Sequence, residues 1–189
     1  MTSPPFWKTL SLDEMPRALW ESLCDGCGRC CLHKLRDEES GAIIWTDVSC
    51  RLLDTHSCLC SDYDRRQRRV SDCISLTPEM LPDLDWLPPS CAYRLLRDGY
   101  DLPDWHPLVS GTRETVHSSG ASVQDRCLNE RSAGALEDHE AAWPGEWPQP
   151  RAPRKLPRVT RHRKPRHARA ENASTGTGRT RNNRTEKVK

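Results

Sequence analysis

The chain has 189 residues, 35% of them hydrophobic, with a mean hydropathy of −0.81, which leaves room for one modest core and excludes a membrane-embedded protein or a chain folded throughout. Its net charge of +2 conceals a divided molecule: residues 1–150 carry 15 Lys/Arg against 25 Asp/Glu, a net of −10, and residues 151–189 carry 14 against 2, a net of +12. An acidic body followed by a basic tail is therefore the useful description, and all seven Trp lie in the body.

Residues 1–10 read as an irregular arm with Phe6 and Trp7 as anchors. They lack the basic region and apolar run of a secretory leader, so the default compartment is the cytoplasm, where thiols stay reduced. Ser11-Leu-Asp-Glu14 has the form of a capping box, with Leu10 and Met15 placed as a hydrophobic staple. Pro16 removes a backbone donor, so the helix carrying Leu19, Trp20 and Leu23 either kinks there or starts there. Ala42–Thr46 is apolar and β-branched and predicts a short strand. Thr77-Pro78 predicts a helix start, cut short by Pro82, and Ser90 predicts the cap of a second helix over Cys91–Asp98 that ends at Gly99. Asp101 to Gly111 reads as extended, with weak helical signal over Glu130–Trp143. The fold class is accordingly a small α-rich, irregular cysteine-rich metal-binding domain over residues 1–147. It has short helices and at most a minor β element, and a disordered basic tail follows over residues 148–189.

The informative feature is the cysteines. Nine of the ten lie between Cys24 and Cys91, about 13% of that segment, above the roughly 8–10% at which cysteine defines a small scaffold. The spacings are Cys24-x2-Cys27-x2-Cys30-Cys31, then Cys50, Cys58-x-Cys60, Cys73 and Cys91. Two-residue gaps let one turn present two sulfurs to one ion. Gly26 and Gly28 permit the tight backbone that aims turn amides at sulfur, Arg29 adds positive charge, and Cys91 stands at a helix start where the dipole lowers a thiol pKa. A disulfide framework is disfavoured by the reducing compartment, the adjacent Cys30-Cys31 pair and the one-residue gap before Cys60. All-sulfur sites suit zinc or an iron–sulfur cluster. The run begins like a bacterial ferredoxin motif but continues with an adjacent cysteine. Eight thiolates fill two four-ligand sites with one left over, and shared thiolates are an alternative.

His33 and His106 are secondary ligand candidates, outnumbered by nine sulfurs. Arg65–Arg69 is a basic patch flanked by Asp62, Asp64 and Asp72, which favours internal pairing. The tail's Lys/Arg offer sequence-independent attraction to nucleic acid or an anionic surface, and the tail has no aromatic side chain for base stacking. No phosphate-binding glycine loop, HExxH or nucleophile elbow is present, so no catalytic residue is assigned and a non-enzymatic role leads.

At Cys24–Cys31 the chain resembles the CxxCxxCC family of zinc- or iron-chelating domains, and within it the bacterial YcgN proteins. The likeness is carried by Trp20-Glu-Ser-Leu-Cys-Asp-Gly-Cys-Gly-Arg-Cys-Cys-Leu-His-Lys-Leu35, Cys58-Leu-Cys60, Asp72-Cys73-Ile-Ser-Leu-Thr77, Cys91-Ala-Tyr-Arg-Leu-Leu96 and Asp101-Leu-Pro-Asp-Trp-His-Pro-Leu108, within residues 5–147. The resemblance implies a small intracellular domain that chelates zinc or iron through Cys24, Cys27, Cys30, Cys31, Cys50, Cys58, Cys60, Cys73 and Cys91. Cys127 falls outside the pattern. The expected function is cytoplasmic metal binding, with an iron–sulfur redox enzyme or electron-transfer partner, and a zinc-stabilised nucleic-acid module using residues 151–189, as alternatives. Metal binding is expected to supply much of the folding energy.

Overall fold

The structure, a computed structural model, describes residues 3–143 and the backbone of residues 186–188. The arm is helical at α1, Phe6–Thr9, where the Phe6 and Trp7 rings meet edge-on with centroids 5.3 Å apart. Trp7 is buried and its indole N–H donates to Asp101 at 3.1 Å, pinning the arm to a distant loop. The capping box forms: the Glu14 carboxylate accepts from the Ser11 backbone N–H at 3.0 Å and the Ser11 hydroxyl at 2.8 Å. It closes only one 3-10 turn, Leu12–Glu14, and α2, Arg17–Ser22, starts immediately after Pro16, where the missing donor costs nothing.

A helical layer forms one half of the body. Trp20 and Leu23 meet Leu81 from the 3-10 helix Pro78–Asp83, then Trp86, Leu87, and Tyr93 and Leu96 from a later helix. The Trp20 and Tyr93 rings are 4.6 Å apart at their centroids, and the Tyr93 hydroxyl donates to the Trp20 carbonyl at 3.0 Å. Each such side chain contributes roughly 1.5–3 kcal/mol on burial. α3, Arg66–Arg69, lies between α2 and that 3-10 helix in the chain, and the later helix is α4, Ala92–Arg97. The residue that caps α4 is Cys91, one position later than expected, and Gly99 ends the turn beyond it with φ +84°. The Arg65–Arg69 patch is internally paired: Arg65 and Arg69 hold Asp62 at 3.0 and 3.1 Å, and Arg66 donates to Ser75 at 2.9 Å. The segment read as extended ends in α5, Pro107–Ser110, closed by Gly111 at φ +81°, and α6, Glu114–Ser118, follows. Of the helical signal over Glu130–Trp143, only the 3-10 turn Leu136–His139 forms.

The β structure is larger than the minor element expected. β1 (Leu32–Arg36) pairs antiparallel with β2 (Ile43–Ser49), which extends the anticipated strand, and β3 (Leu128–Asn129) and β4 (Glu186–Val188) complete the order β3-β2-β1-β4. β2 and β3 run parallel, with Val48 opposite Leu128, and β4 runs antiparallel to β1, with Val188 opposite Lys34. β1 escaped the sequence reading because its alternation is hidden: His33 and Lys34 are as buried as Leu32 and Leu35. The segment 148–189, expected to be disordered, lies outside the described residues except for β4, which covers an otherwise open edge of β1. On the sheet side, Leu32, Leu53, Val123 and Trp143 form a second apolar cluster, and Val116 and Ala121 form a third with Cys27.

Candidate metal centre

The cysteine run occupies the junction of the three clusters. Cys30 packs against the helical cluster, Cys31 against the sheet cluster, and Cys27 lies inside the third. α2 delivers the chain to Leu23, whose carbonyl accepts from His106 Nε2 at 3.0 Å, while His106 Nδ1 accepts from the Leu108 backbone N–H at 3.1 Å. Both ring nitrogens are thus spent on backbone, which makes His106 an anchor for the loop and leaves no lone pair for a metal. Its burial disfavours the imidazolium and lowers its pKa.

Gly26 and Gly28 both adopt φ +75°. Burial and Asp25 raise the thiol pKa of both Cys24 and Cys27, and the backbone N–H groups of Gly26 and Arg29, which favour the two thiolates, offset this only in part. Asp25 Oδ1 accepts from the Cys27 N–H at 2.9 Å, and Val123 N–H donates to the Cys27 carbonyl at 2.9 Å. A Cβ on Gly28 would stand 2.7 Å from Val123 Cγ2, so only glycine fits between loop and cluster. The 3-10 turn Arg29–Cys31 then leads into β1.

Six cysteines, Cys24, Cys30, Cys31, Cys50, Cys60 and Cys73, line one cavity of about 160 Å³. Trp20, Ile74, Leu76 and Trp86 supply apolar wall, and Tyr63 and Arg66 stand at the same cavity. The strand ladder and its turn set the positions: Cys50 N–H donates to the Cys31 carbonyl at 2.9 Å, Leu53 N–H to the Cys50 carbonyl at 2.9 Å, and Leu53 bridges to Cys60. The Cys30 and Cys31 sulfurs are 3.9 Å apart. Cys27 and Cys91 are not among the lining residues, and Cys58 packs in the sheet cluster beside Cys127. All ten cysteines are free thiols. Among the described residues, no three Cys, His, Asp or Glu side chains converge on one point as ligands of an ion; the sulfurs surround a volume.

Buried charge surrounds the run. Arg29 is 1% exposed, its guanidinium 5.4 Å from the Trp45 ring centre, and burial lowers its pKa, with Cys27 and Asp25 acting in the opposite sense. Lys34 is fully buried, its ammonium between the rings of Trp45 (4.8 Å) and Trp86 (4.9 Å), and it donates to the carbonyls of Cys30 at 3.1 Å and Leu32 at 2.6 Å. Asp25 is 6% exposed, and its Oδ2 has no hydrogen-bond partner. The Cys27 thiol is raised well above its usual pKa by burial and by Asp25, and Cys30 by its bond with Cys31 and by burial, with Lys34 acting in the opposite sense. Cys91 receives the amides of Arg94 and Tyr93, yet burial and Asp25 outweigh them and push it up to about 12. The helix-start argument for a lowered Cys91 pKa therefore fails on desolvation. His33 Nε2 meets Glu130 at 2.6 Å, tying β1 to the chain after β3. Of these groups, Arg29 was legible from its place in the run, whereas the burial of Asp25 and Lys34 was not.

The donor set fits a sulfur-preferring cation: free thiols, turn amides aimed at sulfur, and an orphaned carboxylate oxygen in their midst. The basic segment 151–189, offered for nucleic acid or an anionic surface, lies outside the described residues apart from the backbone of 186–188. Among the described residues, no helix is long and apolar enough to cross a membrane.

Comparison with known proteins agrees with this chemistry. Residues 23–92 match the family described as "Putative zinc- or iron-chelating domain", with the signature CxxCxxCC. No solved structure matches the chain. A UPF0260 protein of Gluconobacter oxydans is 68% identical over 150 residues, 78% of this chain and 92% of the relative. One from Granulibacter bethesdensis is 63% identical over 153 residues, covering 81% and 92%, and one from Rhizorhabdus wittichii is 59% identical over 135 residues, covering 71% and 92%. With such identity over most of both partners, and with the cysteine run at the centre of its fold, the chain belongs to the UPF0260 family.

Proposed function

We propose that this protein binds zinc or iron through cysteine thiolates, in a reducing compartment such as the cytoplasm, as the YcgN-type likeness implied. The observation that carries the reading is the placement of six cysteines from four separate chain segments around one cavity. Ligands come from Cys24, Cys27, Cys30, Cys31, Cys50, Cys60, Cys73 and Cys91. Cys58, also expected as a ligand, packs in the sheet cluster with Cys127 and, like Cys27 and Cys91, does not line the cavity. Zinc would supply a redox-inert charge, and iron an electron-carrying centre. The protein's own part is electrostatic: Arg29 and Lys34 offset thiolate charge in a setting poor in water, and the Gly26 and Arg29 amides orient two sulfurs. Binding displaces the protons that burial holds on Cys27 and Cys30.

An iron–sulfur cluster is the second reading, favoured by the cavity's size. About 160 Å³ is many times the ~10–15 Å³ that admits one water molecule, more than a lone ion requires. Anoxic purification followed by metal and sulfide analysis tests both. Stoichiometric zinc in colourless protein supports the first form, and brown protein with acid-labile sulfide supports the second. A metal-free chain that takes up neither metal after reduction sinks the proposal.

A further inference from the structure

One wall of the cysteine cavity is a segment of chain that buries little of itself. Cys60 and Cys73 both line the cavity, and the residues between them return to it: a 3-10 turn, Tyr63–Arg65, runs into α3, and Tyr63, Arg66 and Asp72 are lining residues too. Between residues 61 and 72 only Val70 is buried. Asp62 holds Arg65 at 3.0 Å and Arg69 at 3.1 Å, so the segment is braced within itself. Ser61 N–H donates to the Leu52 carbonyl at 2.8 Å and hinges it at the Cys60 end, and Arg66 donates to the Ser75 hydroxyl at 2.9 Å near the Cys73 end.

α2 lines the same cavity with Trp20 and Glu21, and there the two walls meet. The Tyr63 hydroxyl donates to the Glu21 carboxylate at 2.7 Å, joining residues 42 positions apart. Tyr63 is exposed and Glu21 half-buried, whereas Trp20, Cys50, Leu53 and Trp86 of the same lining are buried. The bond therefore lies at the rim of the cavity and the sulfurs and apolar groups lie deeper. Arg66 holds the ring in place, its guanidinium 3.8 Å from the Tyr63 ring centre and donating to the Tyr63 carbonyl at 2.7 Å. A hydrogen bond at a wet rim contributes little net free energy, because water takes over both partners when it parts. Such a contact opens easily while the rest of the fold stays closed.

We propose that residues 61–72 form a lid on the cysteine cavity, latched to α2 by the Tyr63–Glu21 bond, and that parting of this latch admits ions and small reagents to the sulfurs beneath. Tyr63 is a positioning residue: its hydroxyl holds the lid and is no ligand. The lid itself follows from the geometry of the cavity. Its use, to set how fast metal enters and leaves, rests on the thiolate-metal reading above and adds to it the route of exchange.

The experiment alkylates the reduced, metal-free full-length chain with iodoacetamide and reads each cysteine by peptide mass spectrometry. Tyr63→Phe removes the hydroxyl and leaves Glu21 beside Arg17 at 3.8 Å. It should speed labelling of Cys50, which is buried in the lining, by roughly 3- to 10-fold, the effect of losing one hydrogen bond. Cys27 and Cys58 are buried outside the lining and report any general loosening, so they should keep their wild-type rates. No acceleration at Cys50, or equal acceleration at all three, overturns the lid. Glu21→Gln keeps an acceptor and should label as wild type, and Glu21→Ala should label as Tyr63→Phe does. This pair decides if Tyr63→Phe fails to fold, and a Gln variant as fast as the Ala variant overturns the latch. From zinc-loaded protein, Tyr63→Phe should lose zinc to a chelator faster by the same factor, and an unchanged rate overturns the lid's part in exchange. A chain that takes up neither zinc nor iron overturns the parent reading instead, and the labelling pattern still decides the lid.

Discussion

His106 Nε2 donates to the Leu23 carbonyl at 3.0 Å, so a loop 83 positions downstream fixes the residue that precedes the cysteine run. His106→Ala orphans that carbonyl and the Leu108 amide, each at about 1–3 kcal/mol. The variant should be destabilised by roughly 2–4 kcal/mol on this basis, read from its denaturant midpoint. The same bond sets a pH dependence. The folded pKa of His106 is depressed by burial below its unfolded value of 6.5, so the unfolded chain binds the proton more readily. The contribution to stability is intact above the unfolded pKa and declines as the pH falls below it. Stability curves from pH 8 to 5 should show a decline that His106→Ala lacks.

Gly28 and Gly41 make a matched pair. Both have positive φ, but a Cβ on Gly28 meets Val123 Cγ2 at 2.7 Å, and one on Gly41 meets nothing within 4 Å. Gly41→Ala should cost only the left-handed backbone strain, about 1–2 kcal/mol. Gly28→Ala should add a steric cost of ~1–3 kcal/mol and displace the loop from the sheet cluster. Equal melting temperatures for the two variants would contradict this account.

Metal uptake should release protons. Burial and Asp25 hold the Cys27 thiol in its neutral form, Cys91 is raised to about 12, and a cation binds only the thiolates. Affinity therefore rises with pH through neutrality, because fewer protons must be displaced. Isothermal titration in buffers of different ionisation enthalpy reads the proton count directly, and a count of zero would exclude binding at these thiols.

Lys34→Met should keep the bulk of the buried chain while removing the charge that favours the Cys30 thiolate. The expected effect is a 10- to 100-fold loss of metal affinity, the usual range when a group supporting a ligand is removed. Competition with a chromophoric chelator measures it.

Chelation should leave much of the protein standing. The helical cluster built on Trp20, Trp86 and Tyr93 has no cysteine among its buried members, and Cys30 and Cys91 only pack against it. The expectation from composition, that the metal supplies much of the folding energy, therefore applies to the loop and the cavity walls more than to this half. On metal removal, amide exchange should accelerate around residues 24–31 and 50–60, with the α4 amides protected as before.

The parts of the fold written in local chemistry were readable in the sequence. Pro16 marks the start of α2, Thr77-Pro78 opens a helical turn, Gly99 ends the one after Cys91, and the Ser11–Glu14 box forms as its residues dictate. β1 was not readable, since its buried His33 and Lys34 are paid for by partners far away in the chain, Glu130 and the Trp86 ring. The cysteine run announced the chemistry by its spacing. Which sulfurs face the cavity depends on β2, the Leu53–Cys60 bridge and the turn that holds Cys73 to Val70, and no local pattern encodes that.

Cys30 and Cys31 are neighbours in the chain, yet one leans on the helical layer and the other on the sheet. The cysteine loop is therefore a seam between two halves with separate interiors. On the thiolate-metal reading proposed above, a swap of ion would act at a point where both halves are stitched together, and a change in bond length there would be passed to both interiors at once.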